Sequence, residues 1–318
     1  MRCPFCSRET DRVLTTKLRR GEERKVYYCE PCDLGFLENM KAENELKAYY
    51  QEEYRKEYKP DLIKDTNPRE LFDSYVNFQA ERLHHIAPYL NESKTLLEVG
   101  CSAGQFLCHV TARVGEAVGI ELDQTAADFA AARCGCKVYS DYLGNTDLPQ
   151  NYFDIICAFQ TLEHVANPSE FIMALKAYLK DDGVLYLEVP NLGDALVSTY
   201  DLPRHRQFYY HAAHTYYFSK RSLEIILRKT GFDGDFFYSQ DYNLLNHFQW
   251  LINDAPQSGC MAGLARPTFN FRDDVAENVK HDLNAFLGRI DTEYKNLLIQ
   301  WCIASNIGFI GKKSPSPR

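Results

Sequence analysis

Apolar positions along the middle of the chain fall into short continuous runs separated by longer amphipathic stretches. The runs near residues 95–99, 116–120, 136–140, 153–159 and 183–189 read as buried strands, and the stretches between them as helices. This alternation predicts an α/β fold: a doubly wound, mostly parallel sheet with helices on both faces. Residues 69–90 carry Leu71, Tyr75, Phe78, Leu83 and Ile86 near helical spacing and read as one amphipathic helix. Near the end, residues 274–303 read as a long helix, and Asn306–Gly311 as a last strand. The N-terminal stretch, Met1 to Asn39, lacks this rhythm. Val13–Thr16, a charged turn at Gly21–Glu23 and Val26–Tyr28 suggest a polar hairpin. From about Met40 to Asp65 the chain is dense in Glu, Lys and Tyr, including Tyr49, Tyr50, Tyr54 and Tyr58, as expected of a helical connector. The pattern therefore divides the chain into a small unit at 1–39, a connector at 40–92 and a large α/β domain at 93–318.

The most specific stretch lies at the first strong strand. Leu96-Leu97-Glu98-Val99-Gly100-Cys101-Ser102-Ala103-Gly104 reads as a strand, a small-residue turn and a helix start. Gly100, Ser102 and Gly104 allow close approach of backbone to a ligand, and the helix start offers free N–H groups. Glu121, seventeen residues after Gly104, ends the next strand, where a carboxylate can take both hydroxyls of a ribose. Glu98 stands before the turn, where dinucleotide fingerprints carry an apolar residue. A carboxylate there suits a ligand with a cationic near end, such as S-adenosylmethionine. A rival reading takes Gly100–Gly104 as G-x-S-x-G, a hydrolase elbow with Ser102 as nucleophile. It leaves Glu98 and Glu121 unexplained.

The motif Glu98–Gly104 resembles the first motif of class I S-adenosylmethionine-dependent methyltransferases, with Ser102 in place of the middle glycine. Glu121 matches that family's ribose-binding acid. Asp141, after the third strand, stands where an acid meets the adenine amino group in this fold.

Composition adds three things. With 45% hydrophobic and 25% charged residues, the 318-residue chain has an ordinary globular balance. The net charge of −8 argues against a general nucleic-acid binder, despite eight Lys/Arg against five Asp/Glu between Met1 and Glu30. No apolar run is long enough to span a bilayer, and Met1-Arg2-Cys3-Pro4 does not open an apolar signal core, so the expected location is the cytoplasm.

In such a compartment eleven cysteines read as thiols and metal ligands. Cys3-x-x-Cys6 and Cys29-x-x-Cys32, with Ser7–Tyr28 between them, have the spacing of a zinc ribbon. Four thiolates leave no open position, so the expected zinc is structural. Redox or disulfide pairs are the alternatives.

Two segments beyond strand ends carry candidate chemistry. In Phe159–Val165, Gln160 and His164 are four apart, which on a short helix places them on one face. In Arg204–Ser219, His205, His211 and His214 accompany two arginines and four tyrosines. Arg204 and Arg206 suit an anionic acceptor such as a nucleotide diphosphate. His211 and His214 have metal-like spacing, but no neighbouring carboxylate or cysteine in sequence, which favours acid/base chemistry.

Together the two knuckles, the Tyr-rich connector, the first motif, Leu162-Glu163-His164-Val165 and His211-x-x-His214-x-Tyr216-Tyr217-Phe218-Ser219 resemble methyltransferases with an N-terminal zinc-binding domain, including sugar C-methyltransferases acting on nucleotide-linked deoxysugars and enzymes that modify surface polysaccharides. The resemblance covers residues 1–235. It implies Gln160 and His164 beside the sugar, His214 as the base, and Tyr75 as a ring of the pocket. Those C-methyltransferases carry a glutamate before the histidine, where this chain has Ala213. That departure counts against C-methylation and favours methylation of a sugar hydroxyl, with His214 or His164 as base; N-methylation of an aminosugar is the next reading. An RNA methyltransferase and a non-catalytic ribbon protein are the other readings. The sequence leaves the oligomeric state open.

Overall fold

The computed structural model describes residues 1–40, 43–52, 67–257 and 259–315. Tyr54 and Tyr58 of the expected connector lie outside these residues. Two sheets organise the chain. The larger contains seven strands: β4 (Thr95–Val99), β5 (Glu116–Ile120), β6 (Lys137–Tyr139), β7 (Phe153–Phe159), β8 (Leu179–Pro190), β10 (Phe232–Ser239) and β11 (Asn306–Lys313), in the order β10-β11-β8-β7-β4-β5-β6. β4 through β8 pair in parallel, while β11 runs antiparallel to both β8 and β10. This is the Rossmann-like methyltransferase fold. The order reverses at β4, which opens a crevice at the carboxyl ends of β4, β5 and β7.

Alternate side chains of the central strands enter different cores. Leu97, Val99, Ile156 and Ala158 join one, Leu96, Ile155, Cys157 and Tyr186 the other. Helices cover both. Helix Gln124–Cys134 starts at Asp123, whose carboxylate accepts the Thr125 and Ala126 amides, and stops at Gly135 in the left-handed region. Helix Lys220–Thr230 has a Ser219/Ser222 capping box and ends at left-handed Gly231. The stretch read as one helix over 69–90 is divided: Pro68–Tyr75 and Ala80–Ile86 are separated by a 3₁₀ turn at Val76–Phe78. The long terminal helix spans Glu277–Gln300.

The smaller sheet holds β1 (Val13–Lys17), β2 (Glu23–Cys29), β3 (Leu34–Leu37) and β9 (Tyr216–Phe218), in that order. Its fourth strand comes from the large unit, since β3 pairs with β9. Cys3, Cys29, Leu34 and Phe36 share a core with Ile156 and Leu187 of the large sheet. The small N-terminal unit thus packs as part of the wall around the crevice. Among the described residues no helix is long and apolar enough to cross a membrane.

Candidate active site

A cavity of about 1590 Å³ opens at the crevice. At its floor the turn after β4 folds onto β5: the Gly100 and Cys101 amides both donate to the Ile120 carbonyl (2.8 and 2.9 Å). Gly100, Ser102 and Gly104 all have positive φ. A Cβ on Gly100 would lie 2.3 Å from Thr161 Oγ1, so only glycine fits there. A Cβ on Gly104 would lie 2.6 Å from Cys134 Sγ, a contact that sets how closely helix Gln124–Cys134 packs. Glu121 fastens this turn. Its Oε2 accepts the Ser102 amide (2.8 Å) and its Oε1 the Asp123 amide (2.9 Å).

Glu98 is 4% exposed, and its Oε2 has no hydrogen bond among the described residues. Burial pushes its carboxyl up to about 8, against the pull of the Arg82 guanidinium. An orphaned carboxylate oxygen beside a glycine-lined turn fits the ammonium end of S-adenosylmethionine. The adenine end differs from expectation. Tyr142, Leu143, Gly144 and Asn145 line the cavity, whereas Asp141 does not. Asp141 Oδ1 instead accepts the Tyr142 amide (2.7 Å) and Asn145 Nδ2–H (3.0 Å), so this acid shapes the turn.

Gln160 and His164 do not share a helical face. Gln160 has φ +49 and precedes a 3₁₀ turn at Leu162–His164. Its Nε2 donates to Asn306 Oδ1 (3.1 Å) and Glu188 Oε1 (3.3 Å). Glu188 is held in turn by Arg82, whose Nε donates to Oε1 at 3.0 Å. Both members of this ion pair line the cavity.

The histidine cluster assembles from two distant segments. His164 Nδ1–H donates to the Ala213 carbonyl (2.8 Å), which fixes the neutral ring's tautomer and directs Nε2 towards Glu163. That Nε2 lies 3.7 Å from Glu163 Oε1, and His214 Nε2 lies 3.9 Å from the same atom. The His164 and His214 rings stand 4.8 Å apart, and His211 packs on His214 at 3.8 Å. Burial, with neighbouring imidazoles adding, pushes His211 and His214 well below the ordinary histidine range, so both rings are neutral. Glu163 was not singled out from sequence. It is 1% exposed, both its oxygens lack hydrogen bonds among the described residues, and burial lifts it to about 8. The carboxylate missing near His214 in sequence is supplied in space by Glu163.

Tyr75 lines the cavity, its hydroxyl 3.3 Å from Cys260 Sγ. Arg204 and Arg206 are exposed on helix Pro203–Tyr209 and do not line it. His205, the buried residue of that short helix, faces inward, which leaves the arginines outside. The cavity's cationic side chains include Arg19, Arg20 and Arg82. Arg19 stacks on Phe208 (3.7 Å) and its Nε donates to the Phe208 carbonyl (2.6 Å). The irregular stretch 254–273 reaches the cavity through Pro256, Gln257, Gly259, Cys260 and Leu264. His205, Tyr242, His247 and Trp250 also line it, from elements with no recognisable motif.

In the small unit Cys3, Cys6, Cys29 and Cys32 bring their sulfurs within 4.8 Å of one another, with Cys6 Sγ 3.6 Å from Cys29 Sγ. Burial works against ionisation of Cys6, yet hydrogen bonding from Arg8 and the neighbouring thiols brings it down to about 7. The four sulfurs form a group able to hold one metal ion.

The crevice on this sheet, with its glycine turn and the acids Glu98 and Glu121, has the layout of a class I methyltransferase. The family model described as "Methyltransferase domain" matches residues 72–235, and the chain belongs to that family. Similar curated proteins are ubiquinone biosynthesis O-methyltransferases. That of Haemophilus ducreyi is 33% identical over 109 residues, 31% of this chain and 46% of the relative. That of Histophilus somni is 31% identical over 147 residues, 42% and 56% respectively. The chain thus spans about half the length of the curated relatives it matches. Similar solved structures include an S-adenosylmethionine-dependent methyltransferase from Archaeoglobus fulgidus (18% identity, 77% of this chain and 97% of that one, TM-score 0.49). Another is phosphoethanolamine N-methyltransferase 2 of Haemonchus contortus with S-adenosyl-L-methionine (13% identity, 88% and 62%, TM-score 0.49).

Proposed function

We propose that this enzyme methylates a hydroxyl of a sugar, nucleotide-linked or part of a glycan precursor, with His214 as general base. The observation that carries the reading is the convergence of His164 Nε2 and His214 Nε2 on buried Glu163, just beyond β7 and next to the Gly100 turn. Glu98 would take the donor's ammonium and Glu121 its ribose. S-adenosylmethionine supplies an electrophilic methyl group. The chain's residues hold the acceptor hydroxyl in line with it and remove the proton. His214, neutral through burial, accepts that proton at Nε2 as the new O–C bond forms and the C–S bond breaks, releasing S-adenosylhomocysteine. The positive charge appearing 3.9 Å from Glu163 favours its ionised form, which stabilises the imidazolium.

The cavity exceeds what the donor alone needs, and Tyr75, Tyr209, Tyr242 and Trp250 offer ring faces for a sugar or a base. Arg19 and Arg20 take over the anion-binding role expected of Arg204 and Arg206. The four cysteines fit a structural zinc, which would hold Arg19 and β3 in place. The names of the curated relatives favour a second reading, O-methylation of a quinol or phenol, over the part of the chain they match. An assay of S-adenosylhomocysteine release against nucleotide sugars, free sugars and catechols separates the two. Turnover with nucleotide sugars, lost roughly 10²–10⁴-fold in His214→Ala with donor binding intact, supports the proposal. Turnover confined to catechols overturns it.

A further inference from the structure

We propose that Glu163, His164 and His214 form a second metal site, which binds a divalent transition-metal ion at the acceptor end of the cavity. Three observations carry it. The ligand atoms of the three residues all lie within 4.8 Å of one another. Glu163 is buried with two oxygens that nothing among the described residues satisfies, an expensive arrangement unless a cation or proton compensates it. His164 donates through Nδ1 to a backbone carbonyl and turns Nε2 towards Glu163, the orientation that metal-binding histidines adopt when an outer partner fixes their tautomer. The two segments are also tied together, since the Thr215 amide donates to the Glu163 carbonyl (2.8 Å).

Two imidazoles and one carboxylate suit zinc, manganese, iron(II) or cobalt better than calcium or magnesium. With metal–ligand bonds of about 2.0–2.2 Å, ligand atoms at 3.7 and 3.9 Å need to close by only a few tenths of an ångström. Glu163 lies behind the histidines, while His164 and His214 line the cavity, so the open coordination positions face the acceptor. The class of ligand that fits there is a hydroxyl or a vicinal pair of hydroxyls. This inference rests on the proposed acceptor site and changes its chemistry. With metal bound, both Nε2 atoms are ligands and no longer bases. The metal acidifies the coordinated hydroxyl, whose proton leaves to water in the cavity. Its oxygen then bonds to the methyl group as the C–S bond breaks.

The test is a cobalt(II) titration of the full-length, metal-stripped protein. Wild type is expected to take two equivalents. One gives intense thiolate charge-transfer bands from the four cysteines, the other only weak visible bands of nitrogen and oxygen ligation. Glu163→Gln and, separately, His214→Gln should each keep the thiolate signal and lose the second equivalent, with donor affinity unchanged within about twofold. The thiolate signal reports that a variant has folded. A wild type that takes only the thiolate-bound ion overturns the proposal, as do variants that both retain two equivalents. Sugar methylation by enzyme holding only the thiolate-bound ion overturns the metal's role in the reaction and leaves the histidine-base reading standing. A second equivalent without sugar turnover does the reverse.

Discussion

Leu34 of β3 stands directly opposite Phe218 of β9, and neither side chain is exposed. Three residues along, the Leu37 amide donates to the Thr215 carbonyl (2.9 Å). The cysteine-rich unit is therefore paired, strand to strand, with the segment that carries His211 and His214. The order of that unit bears directly on the geometry of the proposed base.

Breaking the four-sulfur group should consequently disturb chemistry as well as stability. In Cys29→Ser the remaining sulfurs no longer close a tetrahedron, and several kcal/mol of metal-linked folding energy is lost. We expect melting to fall by roughly 10 °C, at about 2–4 °C per kcal/mol for a chain of this size. Methyl transfer should fall by more than the unfolded fraction explains. Scanning calorimetry, metal content and turnover at a temperature where the variant is folded check this; unchanged turnover there would mean that the unit only packs.

Glu121 joins the Gly100–Gly104 turn to the end of β5 through the Ser102 amide. Glu121→Ala removes the expected ribose acceptor and that fastening together. A charge-assisted hydrogen bond contributes about 1.5–3 kcal/mol, so donor affinity should drop roughly 10- to 100-fold. Calorimetric titration with S-adenosylmethionine gives the answer directly, and a change under threefold would refute the assignment.

Glu98 predicts a pH signature. Its folded pKa, raised to about 8 by burial, lies above that of the unfolded chain, so the native state holds an extra proton between the two values. The contribution of Glu98 to stability is fully present below the unfolded value of about 4.3. It is lost as pH rises to about 8, at about 1.4 kcal/mol per pH unit. Ligand-free protein should therefore lose melting temperature across that window, less so in Glu98→Gln. Binding of a cationic donor at pH 7 should expel the proton. Titrations in buffers of different ionisation enthalpy should register close to one proton released in wild type and none in Glu98→Gln.

The contrast between Glu98 and Glu163 explains what could be read from sequence. Glu98, Gly100, Ser102, Gly104 and Glu121 belong to one strand-turn-helix unit and the next strand, so their roles follow from local spacing. β10, β9 and β3 had no such signal: β10 is half exposed, and β3 is a short strand whose partner β9 lies more than half the chain away in sequence. Glu163 is indistinguishable in sequence from any acid at the start of a short turn. Its meaning comes from His214, 51 positions later, and from the loss of water around it. Periodicity over 69–90 was real, but the 3₁₀ turn at Val76–Phe78 re-aims the second helix so that Arg82 reaches Glu188. Asp141 stood at the right strand end, and the neighbouring amides claimed its carboxylate.

The arginines offer the sharpest comparison, because the pair singled out from sequence lies away from the cavity and a different pair lines it. Arg204 and Arg206 sit on the outward face of helix Pro203–Tyr209, in water and away from the cavity. Arg19 is held against that helix from the inside by its stack on Phe208. If an anionic group of the acceptor reaches this end, Arg19→Ala should raise KM roughly 10-fold for a nucleotide sugar and leave kcat within about threefold, the signature of binding lost equally from ground and transition states. An uncharged sugar should show no such change. Arg204→Ala/Arg206→Ala should match wild type with both acceptors. Since Arg19 also contacts Phe208, Arg19→Lys is the control: it keeps the charge but not the stack, and recovery of KM there separates electrostatic attraction from packing. Steady-state kinetics of the four proteins decide it. A KM that rises only in the Arg204/Arg206 pair would return the anion site to the outer face.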